Sequence, residues 1–498
     1  MLAIPLLAGT LAGCSPDNLL GTQQLPPDVP DPAQTHTPAG ALAAYRGALQ
    51  QFRTSFGGAD AMGGNSFVPV TGLFTDELRW GELGQIGATS DPMLVDSRFL
   101  LEDPGTGDDQ TAGPVRAVYG ALQKARGQAS EARGALRAYL PDSSAALVGH
   151  LDAVQAYEEI FLADFFCSGI PLSTLDFGGD FTYAPGSTTA EVYEHAVALF
   201  DSALALSADS VAILNLARVG KARALLALGR YAEAAAAVAD VPDDFRYTVF
   251  YSATTSPGAI NNFLNKSFAY TDFGGTSLGF PLTMVDTEGV NGLPFLSNHD
   301  PRVAWTSNGT NRYGLAQTRP TMYPKDGSGT ITLASGVEAR LIEAEAQLNG
   351  AMAGDWLTTL NALRTNGTFT RVDTTVDHVD TTDVGGTPQV DTTYRYDTLW
   401  VAGTGGVAHL GPLTDPGTQE ARVDLLFRER AFWLFLTGHR QGDLRRLVRE
   451  YGRQQQDVYP AGTYPGAYNT YGTDVTAPIP GDERVSNPLF TGCRSRGA

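Results

Sequence analysis

ERAFWLFLTGHRQGDLRR, residues 429–446, is the stretch from which the rest of the chain can be read. Leu425, Leu426, Phe432, Phe435 and Leu436 mark one apolar face of a helix, and Gly438 suits the left-handed position that closes it. Arg440, Asp443, Arg445 and Arg446 follow at once, spaced to make charge-assisted bonds that fix a second helix against the first. His439 beside Asp443 invites an acid–base reading. A His at a helix junction flanked by Arg is better read as structural.

Upstream of this segment the same helical period recurs. A helix is expected from Thr37, with Pro38 in the first turn where a missing N–H does no harm. Further helices are expected from Pro114 to Pro141, and from Leu147 to about Gly169. The capping box Thr188-x-x-Glu191 opens another. Residues 212–242 read as two helices joined at Gly229-Arg230-Tyr231, with Ala222, Ala224, Ala227, Ala232, Ala235 and Ala236 allowing close approach. Val337–Leu348 and Trp356–Arg364 give a second pair, joined at Asn349-Gly350. Such pairs bury one face against the next and are similar to tetratricopeptide units.

Two stretches break the pattern. Residues 245–336 are rich in Gly, Asn, Thr and aromatics, and residues 369–413 alternate Thr, Asp and Val with a turn at Gly385-Gly386. The second reads as strands or a hairpin. Both read as insertions on a helical frame, where binding residues tend to sit.

The chain has 498 residues, 43% hydrophobic and 18% charged, with a formal net charge of −20. No excess of Lys or Arg is available to neutralise phosphates, so nucleic acid is excluded as a partner. At the start, Leu2 to Leu11 form an apolar run too short to span a bilayer, which needs about twenty residues. It resembles the end of a secretory signal peptide, and Leu11-Ala12-Gly13-Cys14 looks like a bacterial lipobox. Lipidation is therefore expected at Cys14, where several acyl chains anchor a protein stably. No Lys or Arg precedes the apolar run, so the true start is expected upstream of Met1. Pro16, Pro26, Pro27, Pro30, Pro32 and Pro38 suit a tether. Cys167 and Cys493 remain, and sequence separation leaves their pairing open.

The 429–446 stretch resembles the C-terminal signature of the SusD/RagB family, nutrient-binding outer-membrane lipoproteins. Residues 339–346 with 360–364 are similar to that family's preceding helix pair, and Pro478-Ile479-Pro480 through Asn487-Pro488 to its closing pattern. The resemblance implies a mainly α fold: a tetratricopeptide-like helical-pair solenoid (SusD-like) with long loop-rich and short β insertions. It also implies a surface lipoprotein facing the exterior from the outer membrane. Such a protein binds a glycan, oligosaccharide or peptide and delivers it to a SusC-like TonB-dependent β-barrel as its lid, without catalysis or cofactor. The expected divisions are a signal peptide at 1–13, a lipidated tether at 14–36 and helical repeats at 37–245 with a loop insertion at 57–113. A ligand-side insertion at 246–336, a helical pair at 337–365, a β/loop insertion at 366–418 and C-terminal helices and tail at 419–498 complete them.

The family's binding residues vary, so candidates come from chemistry alone. Sugar recognition needs flat aromatic faces with amides nearby. Trp80, Trp305, Tyr313, Tyr323 and Trp400 lie in loop-like stretches, with Asn308, Asn311 and Asp326 close in sequence. Trp356 and Trp433 lie on helical faces and read as core. Asp373, Asp377, Asp380 and Asp383 with His378 do not match a Ca²⁺-loop spacing and read as a solvated insertion, so no metal is expected. Gly403-x-Gly405-x-x-Ala408 imitates a dinucleotide fingerprint, but Leu410-Gly411-Pro412 cannot continue the required helix. Hydrolase, metalloprotease and phosphate-loop motifs are absent. A surface glycosidase or a non-catalytic helical-repeat adaptor remain the alternatives, because paired carboxylates leave no linear signature.

Overall fold

The computed structural model describes residues 36–498 apart from 60–65, 81–91, 101–110, 178–179, 252–260, 263–281, 287, 304, 311–315, 321–328, 372–374, 385–386, 396–397, 403–409 and 465–469. Cys14 and the signal-like run lie outside the described residues.

The first helix, α1 (Pro38–Phe56), begins where its cap chemistry dictates. The Thr37 hydroxyl accepts the Gly40 N–H at 3.0 Å, and Pro38 sits in the first turn. The 57–113 segment contains two short helices, α2 (Phe67–Phe74) and α3 (Pro92–Asp96). α2 carries no charge and every one of its residues is buried. α4 (Gly113–Tyr139) and α5 (Ala145–Phe165) follow as an antiparallel pair.

α5 is the axis of the molecule. From Val148 to Phe165 it is buried on all sides, packed by α1 and α4 and by the helices that follow. A helix enclosed this way should be apolar throughout, yet it carries Asp152, Glu158, Glu159 and Asp164. Most are paired. Arg133 and the Ser202 hydroxyl bond Asp152, His195 meets Glu159 at 2.6 Å, and the Tyr193 hydroxyl donates to Asp164 at 2.7 Å. Glu158 has no hydrogen-bond partner for either oxygen, and burial pushes its carboxyl well above the usual range. It is held neutral.

α6 (Thr189–Leu206) opens with the reciprocal capping box between Thr188 and Glu191. α7 (Val211–Ala227) and α8 (Tyr231–Val238) turn at Gly229, whose φ of +71° favours glycine. The chain then enters β1 (Arg246–Tyr251), passes β2 (Trp305–Thr310) and β3 (Ala316–Pro320), and returns through β4 (Gly329–Ser335). β1 and β4 pair antiparallel, with Tyr251 opposite Gly329 and Arg246 opposite Ser335. This ladder ties the insertion shut at its root. Ser335 then caps α9 (Gly336–Leu348) by accepting the Glu338 N–H at 3.2 Å.

α10 (Trp356–Asn366) packs antiparallel on α9 after a turn with Gly350 at φ +69°. The next segment forms β5 (Gly367–Arg371), β6 (Thr375–Val384), β7 (Thr387–Arg395) and β8 (Thr398–Ala402). β6 pairs with β7, Val384 facing Thr387, and β5 pairs with β8. Gly385 and Gly386 lie outside the described residues.

α11 (Gln419–Trp433) and α12 (Arg440–Arg449) close the fold, with α13 (Gly481–Ser486) in the tail. Gly438 does not close α11, contrary to expectation. The helix ends at Trp433, and the link contains Leu436 at φ +52° and Gly438 at +77°. A fully buried Leu436 is held in that strained region because its N–H donates to Glu77. The tail returns to the end of α5, where Cys167 and Cys493 form a disulfide with Cα atoms 5.8 Å apart. Phe166 pairs with Ala477 and Ser168 with Ser495 beside it.

Candidate ligand face

The short strand Arg79–Trp80 pairs with Leu282–Thr283 at the foot of the insertion. Behind it, Asp96 at the end of α3 accepts the Trp80 N–H at 2.6 Å and the Tyr464 hydroxyl at 2.7 Å. Arg79 meets Glu288 through Nε at 2.8 Å and Nη2 at 2.7 Å, and the Tyr471 hydroxyl donates to the same carboxylate. Asp96 and Glu288 are sealed from solvent, whereas the Arg79 side chain is 26% exposed. Burial pushes both carboxyls up, and for Asp96 the neighbouring Glu288 charge adds to it. Arg79 opposes that rise at Glu288. The Oδ1 atom of Asp96 has no partner. The cluster is a rigid mount that presents one cation at the surface, where it can bind hydroxyls or a carboxylate.

Arg98 fixes the neighbouring wall. It stands at φ +53° and donates to the Pro460, Gly472 and Asp474 carbonyls at 2.6–2.8 Å. It also lies over the Tyr459 ring at 5.0 Å. Burial lowers its pKa to about 10, so it remains a cation at neutral pH. Phe99 next to it is 55% exposed, a flat apolar ring on a fixed backbone.

The aromatic candidates fare unevenly. Trp80 does not offer a stacking face: it is 7% exposed and belongs to the core, because its strand is pinned inward by Asp96. Trp305 opens β2 and is half-buried, its indole N–H donating to the Leu296 carbonyl at 3.1 Å. His299 stacks on it at 6.2 Å with planes 21° apart. Asn308 is on the same strand, and Trp400 is on β8 opposite Phe369. The side chains of Asn308 and Trp400, and all of Asn311, Tyr313, Tyr323, Asp326 and Asp373, lie outside the described residues. So do the side chains of Asp377, His378, Asp380 and Asp383 and the Gly403–Ala408 stretch. Among the described residues, no group of His, Cys, Asp or Glu is arranged to hold a metal ion. Arg79, Asp96, Glu288, Tyr464 and Tyr471 went unseen in the sequence. They come from separate segments, and no spacing joins them.

The 429–446 stretch builds a polar core instead of a site. Arg430 and Arg446 hold Asp443 at 2.8–2.9 Å and keep its carboxyl below the usual range against the pull of burial. Arg302 bridges Asp300 and Glu429 at 2.6 and 2.7 Å, and Arg440 grips Asp76 at 2.6 Å. Arg445 reaches the carbonyls of Ala163 and Asp164 on α5. The ring nitrogens of His439 meet Arg223 Nη1 at 3.2 Å and the Thr437 hydroxyl at 2.8 Å, with Glu338 2.9 Å away, rather than Asp443. Asp164, Arg223, Glu338, Arg430, His439 and Asp443 enclose about 20 Å³, room for one water. No substrate fits there.

No family model matches the sequence, and no curated protein matches it. Solved structures do match the fold. A SusD superfamily protein from Bacteroides thetaiotaomicron superposes with a TM-score of 0.64 at 14% identity, over 92% of this chain and 100% of that one. A second, from Parabacteroides distasonis, gives 0.61 at 13% identity over 92% and 99%. Surface glycan-binding protein A from Bacteroides thetaiotaomicron gives 0.60 at 12% identity over 93% and 100%. The chain has the SusD-like fold. At these identities the likeness carries the fold and no individual binding residue.

Proposed function

We propose that this chain, with its SusD-like fold, is a surface-exposed lipoprotein that binds a nutrient and delivers it to a SusC-like TonB-dependent transporter as its lid. The observation that carries the reading is a fold match spanning nearly the whole chain, to structures that include a named surface glycan-binding protein. A glycan or oligosaccharide is the preferred ligand and a peptide the second.

Acyl chains on Cys14 are the anchor in this reading, supported by the Leu11-Ala12-Gly13-Cys14 string. The Cys167–Cys493 disulfide suits an exported protein, since cytosolic reductants keep such pairs open. The chain is read as a binder rather than an enzyme. Among the described residues, the carboxyls behind the candidate face, Asp96 and Glu288, are buried and bonded to Tyr464 and Trp80 and to Tyr471 and Arg79 respectively. A glycosidase needs its two acids free on either side of the scissile bond.

Affinity electrophoresis of the purified ectodomain against a panel of polysaccharides tests this. Retardation by at least one glycan is expected, weakened by Arg79→Ala and by Trp305→Ala. Migration unchanged in every glycan, with no peptide bound either, contradicts the reading. Release of sugar products by the unmodified protein, lost in Asp96→Asn, supports the glycosidase instead.

A further inference from the structure

We propose that Asn298, His299 and Arg428 form a subsite for a carboxylate-bearing sugar, so that the ligand of this chain is a uronate-containing glycan. The inference names the substrate class of the glycan-binding reading above and rests on it. All three side chains are exposed, and the fold brings them together from two distant segments. Arg428 on α11 donates through Nη2 to the Asn298 Oδ1 atom at 3.0 Å. His299, next in the chain, lies against Trp305 with ring centres 6.2 Å apart.

The loop is fixed in shape. Asp286 Oδ1 accepts the Leu296 and Ser297 N–H groups at 3.2 and 3.1 Å. The Asn298 and His299 N–H groups donate to the Pro294 and Leu296 carbonyls. These bonds hold His299 at φ +47°, a region that non-glycine residues keep only where their surroundings over-determine it. The indole N–H of Trp305 is spent on the Leu296 carbonyl, so Trp305 backs the imidazole and the exposed His299 ring is what a ligand meets. Among the described residues neither ring nitrogen of His299 has a partner, and either tautomer keeps one N–H to donate.

Charge selects the carboxylate. Among the described residues Arg428 makes no ion pair: it bonds the neutral Asn298 amide and lies over the Phe432 ring at 5.8 Å. The acids of its own helix are committed elsewhere, Glu420 and Asp424 to Arg453 and Glu429 to Arg302 and Arg364. In the loop, Asp300 pairs with Arg302, and Asp286 is taken by backbone N–H groups. The remaining guanidinium N–H groups keep the fork geometry that matches a carboxylate, with the Asn298 amide N–H beside them. The net charge of −20 repels a polyanion at long range. That repulsion is screened beyond about 8 Å at physiological salt, so these local donors decide the contact.

Native affinity gels of the full chain in mild detergent test it. They are cast with polygalacturonate, alginate or hyaluronate, with the same polymers after carboxyl reduction, or with neutral glucans. At least one uronate polymer is expected to retard the chain, and its reduced form to bind about tenfold more weakly. Arg428→Gln should weaken binding of the acidic form several-fold and leave the reduced form unchanged, and Arg428→Lys should recover part of the loss. Equal weakening of both forms makes Arg428 merely structural and overturns the subsite. Equal retardation by acidic and reduced polymers, acidic binding undiminished in Arg428→Gln, or retardation by neutral glucans alone also overturns it, and leaves glycan binding standing. Binding of peptides alone overturns it in favour of the second ligand class. A chain that binds no polymer and no peptide overturns both this inference and the function proposed above.

Discussion

Arg302 ties its own turn to α11 through one guanidinium. It is 4% exposed, bonded to Asp300 and Glu429, and sandwiched near Phe432 and Trp433 at 5.3 and 5.0 Å. Removing one partner of such a buried network strands the others. Arg302→Ala is expected to cost about 3–5 kcal/mol, read from urea unfolding midpoints. A cost near that of a surface substitution contradicts the network's role. Glu77 makes a different prediction. Burial lifts its carboxyl from 4.5 to about 8, against the Leu436 N–H that lowers it. Between those values the folded chain keeps a proton that the unfolded chain has released, so this group's contribution to stability falls as pH rises through that window. Glu77→Gln should lose less stability than the parent between pH 5 and 8, and parallel losses sink the assignment. Local chemistry such as Thr188 with Glu191 was readable from spacing alone. Asp76 with Arg440 and Glu77 with Leu436 were not, because the partners lie far apart along the chain.

Helical elements announced themselves through period and caps. The β1–β4 ladder was missed although Thr330-Ile331-Thr332-Leu333 alternates, because its strands flank the long insertion and are too far apart along the chain for a hairpin signal to join them. The end of α11 was misplaced for a related reason. Gly438 looked like the stop signal, but tertiary bonding lets Leu436 take a glycine-like conformation first. Two glycines separate packing from backbone effects. A Cβ at Gly220 on α7 would collide with the Phe200 ring and stand 2.8 Å from Tyr157, both buried. Gly229 meets nothing within 4 Å but has φ of +71°. Gly229→Ala should cost about 1 kcal/mol, from the backbone alone. Gly220→Ala should cost about 1–3 kcal/mol despite the better helix propensity of Ala. Thermal unfolding of the two variants checks the order, and equal small losses would show the helices less tightly set than described.

Across the whole molecule, the tail is what turns a row of helix pairs into a closed body. The Cys167–Cys493 bridge spans 326 residues, and the flanking Phe166–Ala477 and Ser168–Ser495 pairings fasten the tail to the end of α5. Cys167→Ser with Cys493→Ser is expected to lower stability by about 2–5 kcal/mol, the same loss appearing on adding reductant to the parent. A chain indifferent to reductant contradicts this. The architecture was legible from the 429–446 stretch because its apolar face and Arg/Asp spacing serve packing, which local sequence encodes. The candidate face was not, since Arg79, Asp96 and Glu288 are assembled by tertiary structure alone. On the function proposed above, this body works at the cell surface beside a barrel transporter. Extraction of the native host's outer membrane in mild detergent, followed by affinity capture of this chain, tests it most directly. An acylated chain co-eluting in fixed proportion with one large TonB-dependent β-barrel is the predicted result. An unacylated chain recovered alone, or from the cytosol, contradicts it.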